Sequence, residues 1–145
     1  MLHEATKLIS DKFAYYNVCI FLSDSKGKEL KLLAATRPVF RELENKIRIE
    51  IGSHGIISYV ASIGEPIVVP DVKKDARYFK FFEDMETKSE LAVPIKLKNR
   101  VIGVLDVQSL KLDAFVKDDV LALQILAEQL SIEKNEPAMH LNCFQ

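Results

Sequence analysis

The 145-residue chain predicts an α+β domain built on antiparallel strands. Three observations predict it. The stretch from Ser89 to Ser109, SELAVPIKLKNRVIGVLDVQS, reads as two strands closed by the pair Asn99-Arg100. Upstream, short runs of strand formers are separated by turn signals such as SDSKGK. Residues 1–14 and 116–132 instead repeat their apolar residues at helical spacing.

In the first arm of the hairpin, Leu91, Val93, Ile95 and Leu97 share one face, while Glu90, Ala92, Pro94 and Lys96 share the other. In the second arm Ile102, Leu105 and Val107 are out of phase, and the run VIGVL is apolar on both sides. Such a run is expected of a strand covered on both faces. Gly103 within it marks a close backbone approach or a bulge. A two-residue connection demands a tight turn. Asn99 suits one better than Arg100 does, so the turn type is left open. Glu90 and Asp106 stand out, because a carboxylate beside a doubly covered sheet needs a partner or a purpose.

The length is that of one domain, able to bury roughly 68–70% of its unfolded surface. Twenty basic residues against twenty-one acidic ones leave a net charge of −1, so no electrostatic footprint for nucleic acid or an anionic membrane is present. No apolar run approaches the ~18–20 residues that span a bilayer. Cys19 and Cys143 form no metal or redox motif, and a reducing, cytoplasmic setting is expected.

In order, Leu2, Ala5, Leu8, Ile9 and Phe13 make a first helix. It starts without a cap, from which an upstream segment is expected. Tyr15–Leu22 and Leu30–Thr36 form a strand pair, and Lys46–Ile51 alternates as a half-exposed strand with its isoleucines inward. Gly52-Ser53-His54-Gly55 opens a helix, IISYVASIG, with Ser53 as the expected cap and Gly64 as terminator. That opening either presents backbone N–H groups to an anion or only makes a tight strand-to-helix turn. Glu65–Asp71 is an edge-type strand, with Asp71 capping locally. Asp75–Phe82, DARYFKFF, reads as a turn or two of amphipathic helix, and EDMETK as a loop. Val116–Ile132 is the longest helix, with Asp118 and Asp119 in its first turn. Residues 136–145 show no pattern and are expected to be a disordered tail or a remnant of truncation.

Three segments, 51–78, 89–109 and 115–132, together resemble a GAF domain over about residues 1–135. The resemblance implies a central antiparallel sheet of about six strands. The first and last helices would lie on one face, and shorter helices would roof a pocket on the other. It implies a regulatory sensor that binds a small molecule, dimerises through its terminal helices and relays to an output domain in a longer parent. Such domains occur in sensor histidine kinases, phosphodiesterases, cyclases, phytochromes and transcriptional activators. A ligand-free dimerising spacer is the alternative.

Branches of the family differ at particular positions. The reactive cysteines of free methionine-R-sulfoxide reductases would fall near Ile57 and Glu83. Two pocket acids have counterparts in Glu90 and Asp106, but the second acid of the LD-x-D pattern is Gln108. The domain is therefore expected not to be an enzyme. Neither cysteine matches a bilin attachment site. The cyclic-nucleotide pattern is met at Phe115 and Asp119 but not at Val120, and Gln108-Ser109 stands in place of its Asn-Lys pair. His54 faces the expected pocket, yet a lone histidine makes a poor metal site, and no metal or cofactor is expected. The candidate ligand-binding residues are Phe21, His54, Tyr78, Phe79, Phe82, Glu90, Ala92, Asp106 and Gln108. The two acids would favour an amino acid or a base edge, unless Arg77 or Arg100 neutralises them.

Overall fold

The computed structural model describes residues 2–13 and 15–134. Helix α1 (Leu2–Phe13) leads into strands β1 (Asn17–Ser23) and β2 (Glu29–Ala35). The short helix α2 (Pro38–Arg41), strand β3 (Arg48–Glu50), helix α3 (Ile56–Ile63) and strand β4 (Ile67–Val69) follow. A 3₁₀ turn over Val72–Lys74 precedes the long strands β5 (Ser89–Leu97) and β6 (Arg100–Ser109), and helix α4 (Lys117–Lys134) closes the domain. The six strands form one sheet in the order β3-β2-β1-β6-β5-β4, every neighbouring pair antiparallel.

Apolar alternation places a core on each side of this sheet. On one side Ile9 of α1 and Leu123, Ala127 and Leu130 of α4 pack on Val18, Ile20, Leu91, Val93, Leu105 and Val107. On the other, Phe40 of α2, Ile56, Ile57 and Val60 of α3, and Val72 cover Phe21, Leu32, Ala92 and Val104. Strand β1 runs between these cores, and all seven of its residues are buried. The candidate site belongs to the second side, where short elements rather than long helices form the cover.

The hairpin differs from its sequence reading at two points. The turn is Lys98–Asn99, with φ of 52° and 67°, so both central residues are left-handed, as the twist of a two-residue hairpin favours, and Arg100 begins β6. The register then shifts between Ile95 and Lys96: Ile95 faces Gly103 and Lys96 faces Val101. The unpaired Ile102 is a bulge residue. Its insertion brings Ile102 into phase with Leu105 and Val107, and all three lie in the helix-side core. At Gly103 a Cβ would sit 2.3 Å from the Phe21 carbonyl oxygen, so strand β1 approaches there to a distance only glycine tolerates.

Other boundaries shift for local reasons. Pro38 starts α2, an element not foreseen from the sequence, because its fixed φ and missing N–H suit a first helical position. Ser53 does not cap α3. Its hydroxyl donates to the Glu50 carbonyl, and Gly55, at φ 131°, occupies the cap position with no side chain to offer. Gly64 ends that helix in the left-handed conformation. Asp71 accepts from Lys73 N–H and caps the 3₁₀ turn. Residues 75–82 are irregular instead of helical, since Asp75 draws the backbone N–H of Arg77 into a side-chain-capped turn, and the irregular stretch runs on through EDMETK to β5. The tail expected over 136–145 lies outside the described residues.

Candidate functional site

The register of the sheet builds a polar floor on the α3 side. Asn17 of β1, Gln108 of β6 and Glu90 of β5 stand in one cross-strand row, and Cys19, Asp106 and Ala92 in the next. Glu90 is 2% exposed and Asp106 0%. Gln108 lies between the two acids, and its Nε2 donates to Asp106 Oδ2 at 3.0 Å and to Glu90 Oε2 at 3.4 Å. The Gln108 Oε1 accepts from Thr87 Oγ1 at 2.6 Å. Glu90 Oε1 and Asp106 Oδ1, both buried, have no hydrogen-bond partner. Burying such groups is costly unless something supplies a proton or a positive charge.

Burial raises the pKa of Glu90 well above the usual carboxyl range, and the negative charge of Asp106 raises it further. Asp106 is raised to about 6 by burial, a rise that the neighbouring Glu90 carboxyl and the hydrogen bond from Gln108 oppose. The phenol of Tyr78 is pushed up to about 12, first by burial and then by the charge of Glu90. Cys19, paired across the strands with Asp106, has its thiol raised by burial and by that carboxylate. Such a thiol is poor in thiolate.

Glu90 opens onto a cavity of about 350 Å³. Its wall runs along β3 at Arg48, Ile49 and Glu50, through Ser53, His54 and Gly55, and over the first turn of α3, with Phe79 and Phe81 above. The first turn of α3 has no side-chain cap, so its leading N–H groups carry the positive end of the helix dipole at that wall. Gly55, under Phe79, takes a φ of 131°, which residues with a Cβ rarely adopt, so glycine is required there by conformation.

The roof is held by its own contacts. Arg77 grips Asp75 through Nε at 2.9 Å and Nη2 at 2.7 Å, and its guanidinium stands 4.9 Å over the ring of Tyr59 in α3. It does not neutralise the acid pair. Arg100 is at the exposed hairpin tip. Phe81 and Phe82 pack edge-on against Phe40, and Phe79, 49% exposed, meets the His54 ring edge-on.

The structure thus divides the nine sequence candidates. His54, Phe79 and Glu90 line the cavity, and Asp106 and Gln108 join Glu90 behind it. Tyr78 lines a separate depression with Lys73, Thr87 and Lys88. Phe21 and Ala92 are core floor, and Phe82 is a strut on Phe40. Sequence reasoning missed Asn17, which the register places in the row, and Thr87, which precedes β5 and joins it through its bond to Gln108. No cluster of three metal-ligating side chains exists among the described residues. No helix of the described residues is long and apolar enough to cross a membrane.

The GAF domain family model matches residues 1–133. The chain belongs to the GAF domain family. Among solved structures, this GAF domain is similar to the free methionine-R-sulfoxide reductase of Neisseria meningitidis in complex with its substrate. That match has 27% identity and a TM-score of 0.81, covering 97% of this chain and 78% of that one. The type II free methionine-R-sulfoxide reductase of Thermoplasma acidophilum matches at 26% identity and a TM-score of 0.78, covering 90% and 87%. The GAF domain of an Acinetobacter phosphoenolpyruvate-protein phosphotransferase shares the fold at 23% identity and a TM-score of 0.77, covering 90% and 77%. No curated protein sequence matches the chain.

These reductases overturn the expectation that the domain is not an enzyme. They are enzymes on this fold at 26–27% identity, so a catalytic role is among those the comparison supports. The inference from Ile57, Glu83 and Gln108 judged the family's own positions, and chemistry can move to another residue on a shared fold. Cys143 lies outside the described residues.

Proposed function

We propose that this GAF domain is a small-molecule-binding module of a signal-transduction protein, and that its ligand is a small dipolar metabolite. The observation that carries this reading is Glu90. It is a buried carboxyl with an oxygen lacking a donor, at the wall of a cavity onto which an uncapped helix start also opens. An ammonium or amidine group would satisfy Glu90, with Asp106 behind it, and a carboxylate would suit the N–H groups of α3. Phe79 and Phe81 would cover the apolar remainder. A free α-amino acid has this polarity and fits the volume. Occupancy would order residues 75–88, and the terminal helices would relay the change to an output domain. The reading takes the setting as cytoplasmic, in keeping with the free thiol of Cys19.

A second reading, as a reductase acting on such an amino acid, is favoured by the similarity to an enzyme solved with its substrate. One experiment addresses both. The free L-amino acids, L-methionine-R-sulfoxide, simple amines and nucleotides are screened by thermal shift, and each hit is followed for turnover with a dithiol reductant. Ligand at 100 times its dissociation constant adds about 2.7 kcal/mol and raises the melting temperature visibly. The rise disappears in Glu90→Ala if the pocket is the site. No shift with any probe defeats the binding reading, and methionine formed from the sulfoxide at a catalytic rate establishes the enzyme.

A further inference from the structure

Two carboxyl groups held side by side away from water do not both carry a charge unless a cation joins them. Among the described residues, the elements packed around Glu90 and Asp106 supply none. Strand β1 brings Asn17 and the thiol of Cys19, β6 brings the neutral Gln108, and β4 brings Val69. The 75–88 segment brings Tyr78, Thr87 and Asp75, and the charge of Asp75 is already matched by Arg77. On the cavity wall Glu50 adds a like charge, Arg48 is engaged by Glu29 at 3.0 Å, and His54 turns its ring to Phe79. None of these forms an ion pair with either acid.

Donors are as scarce as cations. The Gln108 Oε1 is taken by Thr87, and its Nε2 serves both acids, one hydrogen for each. That leaves Glu90 Oε1 and Asp106 Oδ1. A single proton placed on one and donated to the other satisfies both oxygens at once and halves the buried charge. We propose that in the empty pocket Glu90 and Asp106 share one proton at neutral pH, with Glu90 the acid and Asp106 the acceptor, and that a cationic ligand group takes the proton's place. In that exchange the O–H···O bond breaks, the proton leaves to solvent, and both carboxylates face the cation. The raised titration of both groups agrees with the geometry. The second half rests on the binding reading above; the first does not.

Infrared spectroscopy of the whole chain without ligand tests the first half. A carboxylic-acid C=O band is expected at pH 7, shifted by ¹³C-glutamate labelling and absent from Glu90→Gln. No acid band, or one shifted by aspartate labelling instead, overturns the assignment. The label shift in the native chain decides it even if Glu90→Gln does not fold. The exchange is tested by calorimetry with methylammonium and L-methionine-R-sulfoxide, each in two buffers of different ionisation enthalpy. About one proton released per ligand is expected, with affinity rising about tenfold per pH unit below the titration of the pair. Binding without proton release overturns the exchange. Binding of neither probe overturns it too, and defeats the cationic-ligand reading for these probes, while the acid band still decides the shared proton.

Discussion

Thr87 Oγ1 donates to Gln108 Oε1 at 2.6 Å, at the end of a hydrogen-bonded chain that runs on through the Gln108 amide to two buried acids. A carboxylate only accepts, so the acids draw the Gln108 nitrogen to themselves, and the Thr87 hydroxyl, able to donate or accept, gives its proton to the amide oxygen. Thr87 lies near the end of the irregular 75–88 segment, so the roof of the cavity and the acid pair on its floor are joined through two side chains. Gln108→Leu removes both donors and is expected to cost about 1–3 kcal/mol by urea unfolding at pH 7. The loss should be smaller at pH 5, where the acids are protonated. An equal loss at both pH values would mean that packing alone is responsible.

The acid pair also fixes a pH dependence. Asp106 is raised from 3.8 to about 6 in the folded chain, and Glu90 is raised well above 4.5. The folded state therefore holds protons that the unfolded chain has released. The stabilisation is full below the unfolded values and is lost as pH rises through the folded ones, at no more than about 1.4 kcal/mol per pH unit for each proton. Asp75, lowered mainly by its hydrogen bond from Arg77, acts in the opposite sense at acid pH. The measurement is thus a difference between native chain and variant. Urea midpoints from pH 5 to 8 should fall more steeply for the native chain than for Glu90→Gln, and parallel curves would contradict the sign.

At Gly103 strand β1 lies close against β6. A Cβ there meets the Phe21 carbonyl at 2.3 Å and Leu22 Cδ2 at 2.7 Å. Backbone cannot yield as a side-chain tip does, so Gly103→Ala is expected to destabilise the fold by about 3 kcal/mol or more. Chemical denaturation reads this directly. A cost under about 1 kcal/mol would show that the central strands part more easily than their pairing implies.

Cys19 is buried beside Asp106, and burial and that charge both hold its thiol protonated. In a Cys143→Ser chain, a disulfide reagent at pH 8 should react with Cys19 only at the rate of opening or unfolding. Rapid native reaction would reveal an accessible thiol beneath the pocket and would strengthen the reductase reading.

Helix α4 buries Leu123, Ala127 and Leu130 on the sheet while leaving Leu121, Ile125 and Ile132 between 51% and 66% exposed. A second copy would cover this row, as the relay reading asks. Sedimentation of the native chain is expected to show a concentration-dependent dimer, abolished in a Leu121→Glu, Ile125→Glu double variant without loss of the melting transition. A monomer at all concentrations would leave the terminal helices without that partner.

Much of the fold is legible without coordinates because period-two alternation in β5 and a helical stripe in α4 commit those segments to one geometry each. The family motifs at 51–78, 89–109 and 115–132 then order them. What alternation cannot register is an inserted residue. The bulge at Ile102 reverses the phase of β6, so the face of Val101 is decided by pairing with β5 rather than by its own neighbours in sequence. The aromatic run at 75–82 has helical composition yet no helix, because Asp75 and Arg77 close a local turn and the phenylalanines find their partners in Phe40 and His54.

The sequence alone determined that two carboxyl groups, Glu90 and Asp106, would sit on adjacent antiparallel strands. Local chemistry sets strand alternation, and the hairpin sets the pairing. Only the tertiary structure decided that no cation among the described residues reaches them, that Gln108 serves both while Thr87 takes its oxygen, and that Glu90 alone of the pair faces the cavity. Those facts depend on how β1, α3 and the 75–88 roof pack around the floor, and packing between distant segments is not written in any one stretch of chain.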